Sequence, residues 1–384
     1  METNIAIMDV LLVGEYSRLH NSLKEGLIEL GHNVTLAGTG DGFKGYPVDL
    51  DYEAKLFDLP GLKTIRHYAN RIFRINLSYV ERGIRFYFLL PKLKGYAIVQ
   101  LINETPIKTL PSFERYLLKK LMKQNGKTFL LCCGIDYTVA TYMLERKPRY
   151  SVMDPYFNDN SLPEYGYILE YANAQHKKTH EFLYESISGV IASDMDYYLP
   201  LKDNPKFLGL VPNPINLSRF PYTEPVINDK VVIFLGINRL PYNQKGIPFF
   251  EKALERIAVK YASKVEIIVA ESIPYNDYIK LYDRAHILLD QIYGYDQGYN
   301  ALEAMAKGKV VFTGAEKEFT EYYGLTEEVA INALPDVDYL VERLSCLIDN
   351  PDEIKAISQR ARAFIEKEHD YMKVAKEYIE KWKK

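Results

Sequence analysis

The stretch DVLLVGEYSRLHNSLKEGLIELGHNVTLAG, residues 9–38, decides the fold. Its first apolar run is continuous rather than alternating, which suits a strand covered on both faces by helices, as in parallel sheets. Ser17 follows as an expected helix N-cap, and Leu19, Leu23, Leu27 and Leu30 recur along one helical face. Gly31 then stops the helix ahead of a second apolar run, NVTLAG. The unit reads as strand, helix, parallel strand.

The same alternation continues outward. Strand-like runs are AIVQLIN (97–103), KTFLLCCG (127–134), GVIAS (189–193), VVIFLG (231–236), VEIIVA (265–270), AHILLD (285–290) and KVVFTG (309–314), with helical patterns between them. At 384 residues the chain outgrows a single hydrophobic core, which stops growing near ~250–300 residues. Four prolines cluster in LVPNPINLSRFPYTEPVINDK (210–230) and mark a boundary. The expected organisation is an α/β N-terminal domain (1–212), a linker (213–229), an α/β C-terminal domain (230–366), and a final helical segment (367–384) packing back on the first domain. Both domains are Rossmann-like and doubly wound, so ligands are expected between the carboxyl ends of the two sheets.

Composition narrows the function. Hydrophobic residues make up 47% and charged residues 26%, with a formal charge of -3, which excludes a strongly basic nucleic-acid binder. No apolar run reaches the ~18 residues of a membrane span. The N-terminus lacks the basic start of a secretory signal, and Cys132, Cys133 and Cys346 form no disulfide or metal framework, so a cytoplasmic setting is expected. His176 and His180 share a helix face without a third ligand, and no metal is expected.

Several residues carry possible chemistry. The first strand-to-helix turn holds only Gly14, not a dinucleotide fingerprint, and the glycines of GTGDG (38–42) read as turn chemistry. Arg239 and Lys245 flank the loop GINRLPYNQKG at a sheet edge, where a planar fork and a mobile ammonium suit a diphosphate. In DQGYNALEAMAKGK (296–309), a helix start offers the N–H groups of Gly298, Tyr299 and Asn300 to an anion. Glu303, one turn in, suits a vicinal diol; the alternative is a capping box with Asn300. Pro274 and Tyr275 are placed to clamp a planar base, or simply to turn the chain. The segment 63–95 carries eight Lys or Arg against one acid, interleaved with aromatics. Arg66, Arg71, Arg74, Arg82 and Arg85 there suit anionic headgroups or a lipid diphosphate, with nucleic acid as the rival reading and a solvated face as the bland one. His20 is a candidate contact to acceptor or donor, or a satisfied helix histidine.

Three runs together, VIASDMDYYL…FLGLVPNPINLSRF, FLGINRLPYNQKG and ILLDQIYGYDQGYNALEAMAKGKVVFTG, resemble the retaining glycosyltransferases of GT-B architecture, specifically glycosyltransferase family 4. The resemblance implies metal-independent sugar transfer from a nucleotide-diphosphate donor, a substrate and not a cofactor. It implies a lipid-linked or oligosaccharide acceptor in bacterial surface polysaccharide or glycolipid synthesis, and work at the inner face of the cytoplasmic membrane. Arg239 and Lys245 then match the diphosphate cations, and Glu303 the second acid of the family's E-x7-E motif, the ribose ligand. The first acid falls on Tyr295, a departure, with Asp296 adjacent as its replacement. Asp290 and Gln291, in ILLDQ, match a D-Q pair at the sugar pocket, and Asp136 is the nearest polar residue to the family's sugar-side histidine. Gly14 stands at the donor side of the first turn. Two other readings stay open: a sugar-nucleotide epimerase of the same fold, and a degenerate transferase serving as an assembly subunit.

Overall fold

The computed structural model describes residues 7–384 apart from 64, 65, 67, 69, 70, 72–75, 272 and 274. The N-terminal sheet has seven strands: β1 (Asp9–Val13), β2 (Asn33–Gly38), β3 (Leu50–Asp51), β4 (Ile98–Leu101), β5 (Lys127–Cys132), β6 (Gly189–Ala192) and β7 (Phe207–Leu210). Their order is β3-β2-β1-β4-β5-β6-β7. The C-terminal sheet has five: β8 (Val231–Ile237), β9 (Val265–Glu271), β10 (Ile287–Leu289), β11 (Val310–Thr313) and β12 (Ile331–Asn332), ordered β12-β11-β10-β8-β9. Every paired strand is parallel.

The continuous apolar runs have their explanation in the two faces of each sheet. Leu11, Val13, Val99, Leu101 and Leu130 enter one core, while Val10, Leu12, Ile98, Phe129 and Leu131 enter another on the opposite face. The second sheet repeats this, with Ile233 and Leu235 on one side and Val232 and Phe234 on the other. Three strands, β3, β7 and β12, escape the sequence reading. β3 and β12 are two-residue edge strands, and β7 is an edge strand whose Gly209 sits at φ 105 beside an irregular register. β3 and β12 are too short to show a period, and a glycine interrupts β7.

Ser17 does not cap the first helix. Ser17 and Arg18 both adopt left-handed backbone, with φ 48 and 74, and helix Leu19–Glu29 begins without a side-chain cap. Leu19, Leu23 and Leu27 are fully buried, but part of what covers them comes from the far end of the chain. Helix Tyr371–Lys383 lies on helix Leu19–Glu29, placing Val374, Ala375, Tyr378, Ile379 and Trp382 in the N-terminal core. A Cβ at Gly26 would stand 2.5 Å from the Tyr371 carbonyl, so glycine permits the approach. Trp382 Nε1 donates to Gln100 Oε1 at 2.9 Å, and the Tyr371 hydroxyl to Glu29 at 2.6 Å.

The chain thus crosses between domains twice, and the crossings touch. Ile215 and Asp370 form an isolated parallel bridge, with Ile215 N donating to His369 O at 2.7 Å. Beside them Glu25 accepts from Arg18 and Arg219 at 2.7 Å each and from Asn216 at 2.8 Å, which ties the linker to the turn after β1. Among the described residues no helix is long and apolar enough to cross a membrane.

Truncating Ile379 removes atoms from a fully packed seam. Ile379→Ala is expected to lower unfolding free energy by about 2–5 kcal/mol. Urea denaturation followed by fluorescence checks it, because Trp382 is the chain's single tryptophan and reports this contact directly.

Candidate active site

In the C-terminal sheet the chain leaves β8 toward β9 on one side and returns through β10 on the other, so a crevice opens at the carboxyl ends of β8 and β10. A cavity of about 700 Å³ occupies it. Gly236, Ile237 and Asn238 from the end of β8 line it, as do Leu289 and Asp290 from the end of β10. Ala270, Ile273, Tyr278, Ile279 and Tyr282 supply apolar and aromatic lining, and Lys245, Asp290, Asn300, Glu303 and Lys307 supply polar lining, with Lys307 Nζ 5.3 Å from the centre of the Tyr282 ring. The N-terminal domain closes it with Ser17, Lys44 and Tyr46.

Lys245 reaches this cavity and Asp290 holds it there, Nζ to Oδ1 at 3.0 Å, with Asn300 Nδ2 donating to the same oxygen at 2.8 Å. Arg239 is not among the lining residues. Its Nε and Nη2 grip the Glu271 carboxylate at 2.5 and 2.6 Å, and the side chain is 55% exposed. Thus the two cations of the loop part company: one lines the crevice, the other pairs with the end of β9.

Helix Tyr299–Ala306 starts at Gly298, which has no side chain to cap it. The capping-box reading of Asn300 and Glu303 is therefore overturned, since Asn300 lies inside the helix and bonds Asp290. Glu303 faces the cavity, and among the described residues no hydrogen bond reaches its carboxylate. Burial raises its pKa to about 7, against the pull of Arg18, Lys307 and Lys44. Gly298 does not line this cavity; with Tyr299, which lines both, it lines a second one, of about 410 Å³, whose other walls include Tyr16, Asn103, Tyr167, Tyr171, Asp194 and Tyr197. The Tyr299 hydroxyl donates to Pro214 O at 2.9 Å, pinning the helix start to the linker.

The D-Q pair is split. Asp290 serves the larger cavity, while Gln291 lines a third, of about 220 Å³, beside Tyr293, Tyr295 and Asp296. Tyr295 is buried; its ring tilts against Tyr150 at 5.2 Å and its hydroxyl accepts from Arg149 N at 2.8 Å. Asp296 is buried as well, accepting from Met195 N at 3.1 Å across the domain boundary and from Gln297 N at 2.7 Å. Asp196 returns the contact by accepting from Tyr295 N at 3.1 Å. Burial raises Asp296 to about 7 and drives Asp194 well above the usual carboxylate range, helped by repulsion from Asp196 and Asp296.

Three expected contacts lie elsewhere. Asp136 is fully buried as the N-cap of helix Tyr137–Leu144, accepting from Val139 N at 2.8 Å and from Cys132 Sγ at 3.0 Å, and lines none of the three cavities. Gly14 faces Ile102, whose Cγ2 would stand 2.3 Å from an added Cβ, so its freedom serves packing. His20 is fully buried with Nδ1 on Gly14 O at 2.7 Å, and burial lowers its pKa to about 4. His180 meets Glu104 at 2.6 Å and His176 its own N-cap Asn173. Pro274 falls outside the described residues, as does Arg74; Tyr275 begins a helix, Tyr275–Arg284.

The basic face of 63–95 is neutralised in part. Arg82 pairs with Glu53 at 2.7 Å and Arg85 with Glu81 at 2.7 Å, while Arg66 donates to Ser78 Oγ at 3.2 Å; Arg71 is exposed. What helix Leu77–Leu89 does expose is apolar: Ile84, Tyr87 and Phe88, with Leu56 and Leu59 also exposed on this domain. Sequence reasoning missed Ser17, Lys44, Tyr46, Lys307 and Asp194. For Lys44 the glycine run GTGDG just before it was the available signal.

Two facing parallel-sheet α/β domains with a crevice at their strand ends define the GT-B architecture. A glycosyl transferase-like family model matches residues 248–380, about a third of the chain. Over 98% of both chains the structure is similar to sucrose-phosphate synthase from Thermosynechococcus elongatus, at TM-score 0.62 and 14% identity. It is also similar to Anabaena HepE in complex with UDP and glucose, at TM-score 0.58 and 11% identity over 97% of this chain and 98% of that one. At such identities the likeness is one of fold. No curated protein matches the chain.

A carboxyl whose folded pKa is raised favours folding below its unfolded value and loses that contribution as pH rises through the folded one. For Glu303 the loss runs from about 4.5 to about 7. Glu303→Gln is therefore expected to flatten part of the fall in melting temperature across that range and to melt above wild type at pH 8. Thermal scans at several pH values check it.

Proposed function

We propose that this protein transfers a sugar from a nucleotide-diphosphate donor to a hydroxyl of an oligosaccharide or lipid-linked glycan. The observation that carries the reading is the 700 Å³ crevice at the strand ends, lined by aromatic and apolar side chains together with Lys245, Asp290, Asn300 and Glu303. Its aromatic lining suits a nucleobase, Glu303 a ribose diol, and Lys245 with the helix start at Tyr299 and Asn300 a diphosphate. The glycosyl transferase-like match over 248–380 supports the same assignment.

Transfer breaks the bond between the sugar's anomeric carbon and a phosphate oxygen, whose electron pair stays on the diphosphate. The acceptor oxygen bonds to that carbon, and its proton passes to the departing phosphate. Charge grows on the leaving oxygen, so fixed cations and N–H groups lower the barrier electrostatically. Retention of configuration and metal independence rest on the resemblance to family 4. The 410 Å³ cavity is the acceptor side in this reading, since Tyr16, Tyr167, Tyr171 and Tyr197 suit the apolar faces of sugar rings. The exposed Ile84, Tyr87 and Phe88 support docking on a lipid surface by insertion more than by charge.

One observation favours a second reading. Tyr295 and Asp296, which stand where the family's first acid is expected, are both committed to the domain boundary. A nucleotide-binding assembly subunit without turnover fits that.

A thermal-shift screen against UDP, GDP, CMP and dTDP species is expected to find one nucleoside diphosphate that raises the melting temperature. Glu303→Ala and Lys245→Ala are each expected to cut nucleotide-sugar turnover at least tenfold; both within twofold of wild type refutes transfer. Nucleotide binding without turnover on any acceptor extract selects the second reading. In flotation with anionic vesicles, Phe88→Asp is expected to leave the lipid fraction.

A further inference from the structure

Three residues line both the 700 Å³ and the 410 Å³ cavities: Ser17, Lys44 and Tyr299. Lys44 is the cation among them. It arrives from the N-terminal domain, opposite Glu303 and Lys245, on the loop that the glycine run GTGDGFKG builds. Gly40, Asp41, Gly42 and Gly45 all hold left-handed backbone, at φ 71, 58, 64 and 59. The loop closes on itself, Tyr46 N donating to Gly40 O at 2.9 Å, and a Cβ on Gly40 would stand 2.8 Å from the Tyr46 carbonyl. Glycine at 40 is thus required by space as well as by φ.

The ammonium is held in place from two directions. Lys44 Nζ donates to Asp41 Oδ2 at 2.8 Å and to Ser17 Oγ at 2.9 Å, while Asp41 Oδ2 also accepts from Ser17 N at 2.9 Å. An ammonium has three donors, so one is left for a ligand at the seam. Ser17 keeps its hydroxyl there in a left-handed conformation that side-chain-bearing residues seldom adopt, and Glu25 anchors the next residue, Arg18, at 2.7 Å. On the facing wall Lys245 is paired with Asp290 inside its own domain.

We infer that Lys44 is the N-terminal domain's contact to the leaving group, touching the phosphate oxygen that carries the transferred sugar. The inference rests on the larger cavity being the donor site. The sugar–oxygen bond then breaks between Lys44 on one domain and Lys245 on the other, and the electron pair left on oxygen is met from both sides. The glycine run, which reads as mere turn chemistry in the sequence, is what carries this cation to the seam. A further consequence is selectivity: a nucleoside monophosphate lacks the distal phosphate and engages only the C-terminal wall.

The test compares the nucleoside diphosphate found in the thermal screen with its monophosphate, by calorimetry on the full chain. Lys44→Gln is expected to weaken the diphosphate at least tenfold, to leave the monophosphate within twofold, and to lower kcat roughly 100-fold. Lys44→Arg is expected to recover most of both. Unchanged diphosphate affinity and turnover in K44Q overturns the inference while leaving the donor site standing, and so does equal weakening of both nucleotides. If wild type binds no nucleoside diphosphate, the donor reading falls and this one with it. Should K44Q fail to fold, acetylation of wild type by an amine-reactive reagent decides, read by mass spectrometry. Protection of Lys44 by the diphosphate and not by the monophosphate supports the contact, and no protection overturns it.

Discussion

The seating of helix Tyr371–Lys383 on helix Leu19–Glu29 is the contact on which the crevice depends. It inserts Tyr378, Ile379 and Trp382 into the N-terminal core although the chain reaches them through the C-terminal domain. Burying an isoleucine and two large aromatic side chains there contributes on the order of several kcal/mol. Without that contact only the linker and a set of polar contacts would hold the two domains across their cavities.

The second set of contacts across the boundary is polar. Asp196 accepts from Tyr295 N, Asp296 accepts from Met195 N, and Tyr299 donates to Pro214 O. Two acids take part in this exchange, each accepting a backbone N–H from the other domain, and Asp296 also that of its own neighbour Gln297. Buried carboxyls in such a place hold position by hydrogen bonding and gain nothing from mutual charge. That explains why Asp296, offered by its place in sequence as a sugar ligand, is spent on geometry.

Most of the architecture was legible from the chain. Runs such as VVIFLG are apolar on successive residues because both sheet faces are covered, and that marks a parallel sheet without further information. The crevice residues Lys245, Asn300 and Glu303 were legible too, since each follows a strand end or opens a helix in a recognisable order. Arg239 was not, because its partner Glu271 sits 32 residues away at the end of β9, and spacing does not report ion pairing. The same holds for Arg82 and Arg85, whose acids neutralise part of a charge run that looks open in one dimension. Lys44 was hidden for another reason: its cavity is made by two domains, and no local pattern in GTGDGFKG names the wall it faces.

The bridge between Ile215 and Asp370 sets two strands of chain side by side where they pass between domains. Sliding of one domain over the other would shear both crossings at once. Glu25, gripping Asn216, Arg219 and Arg18 together, extends this constraint to the turn after β1, so the two crossings and the start of the first helix hold one another in register.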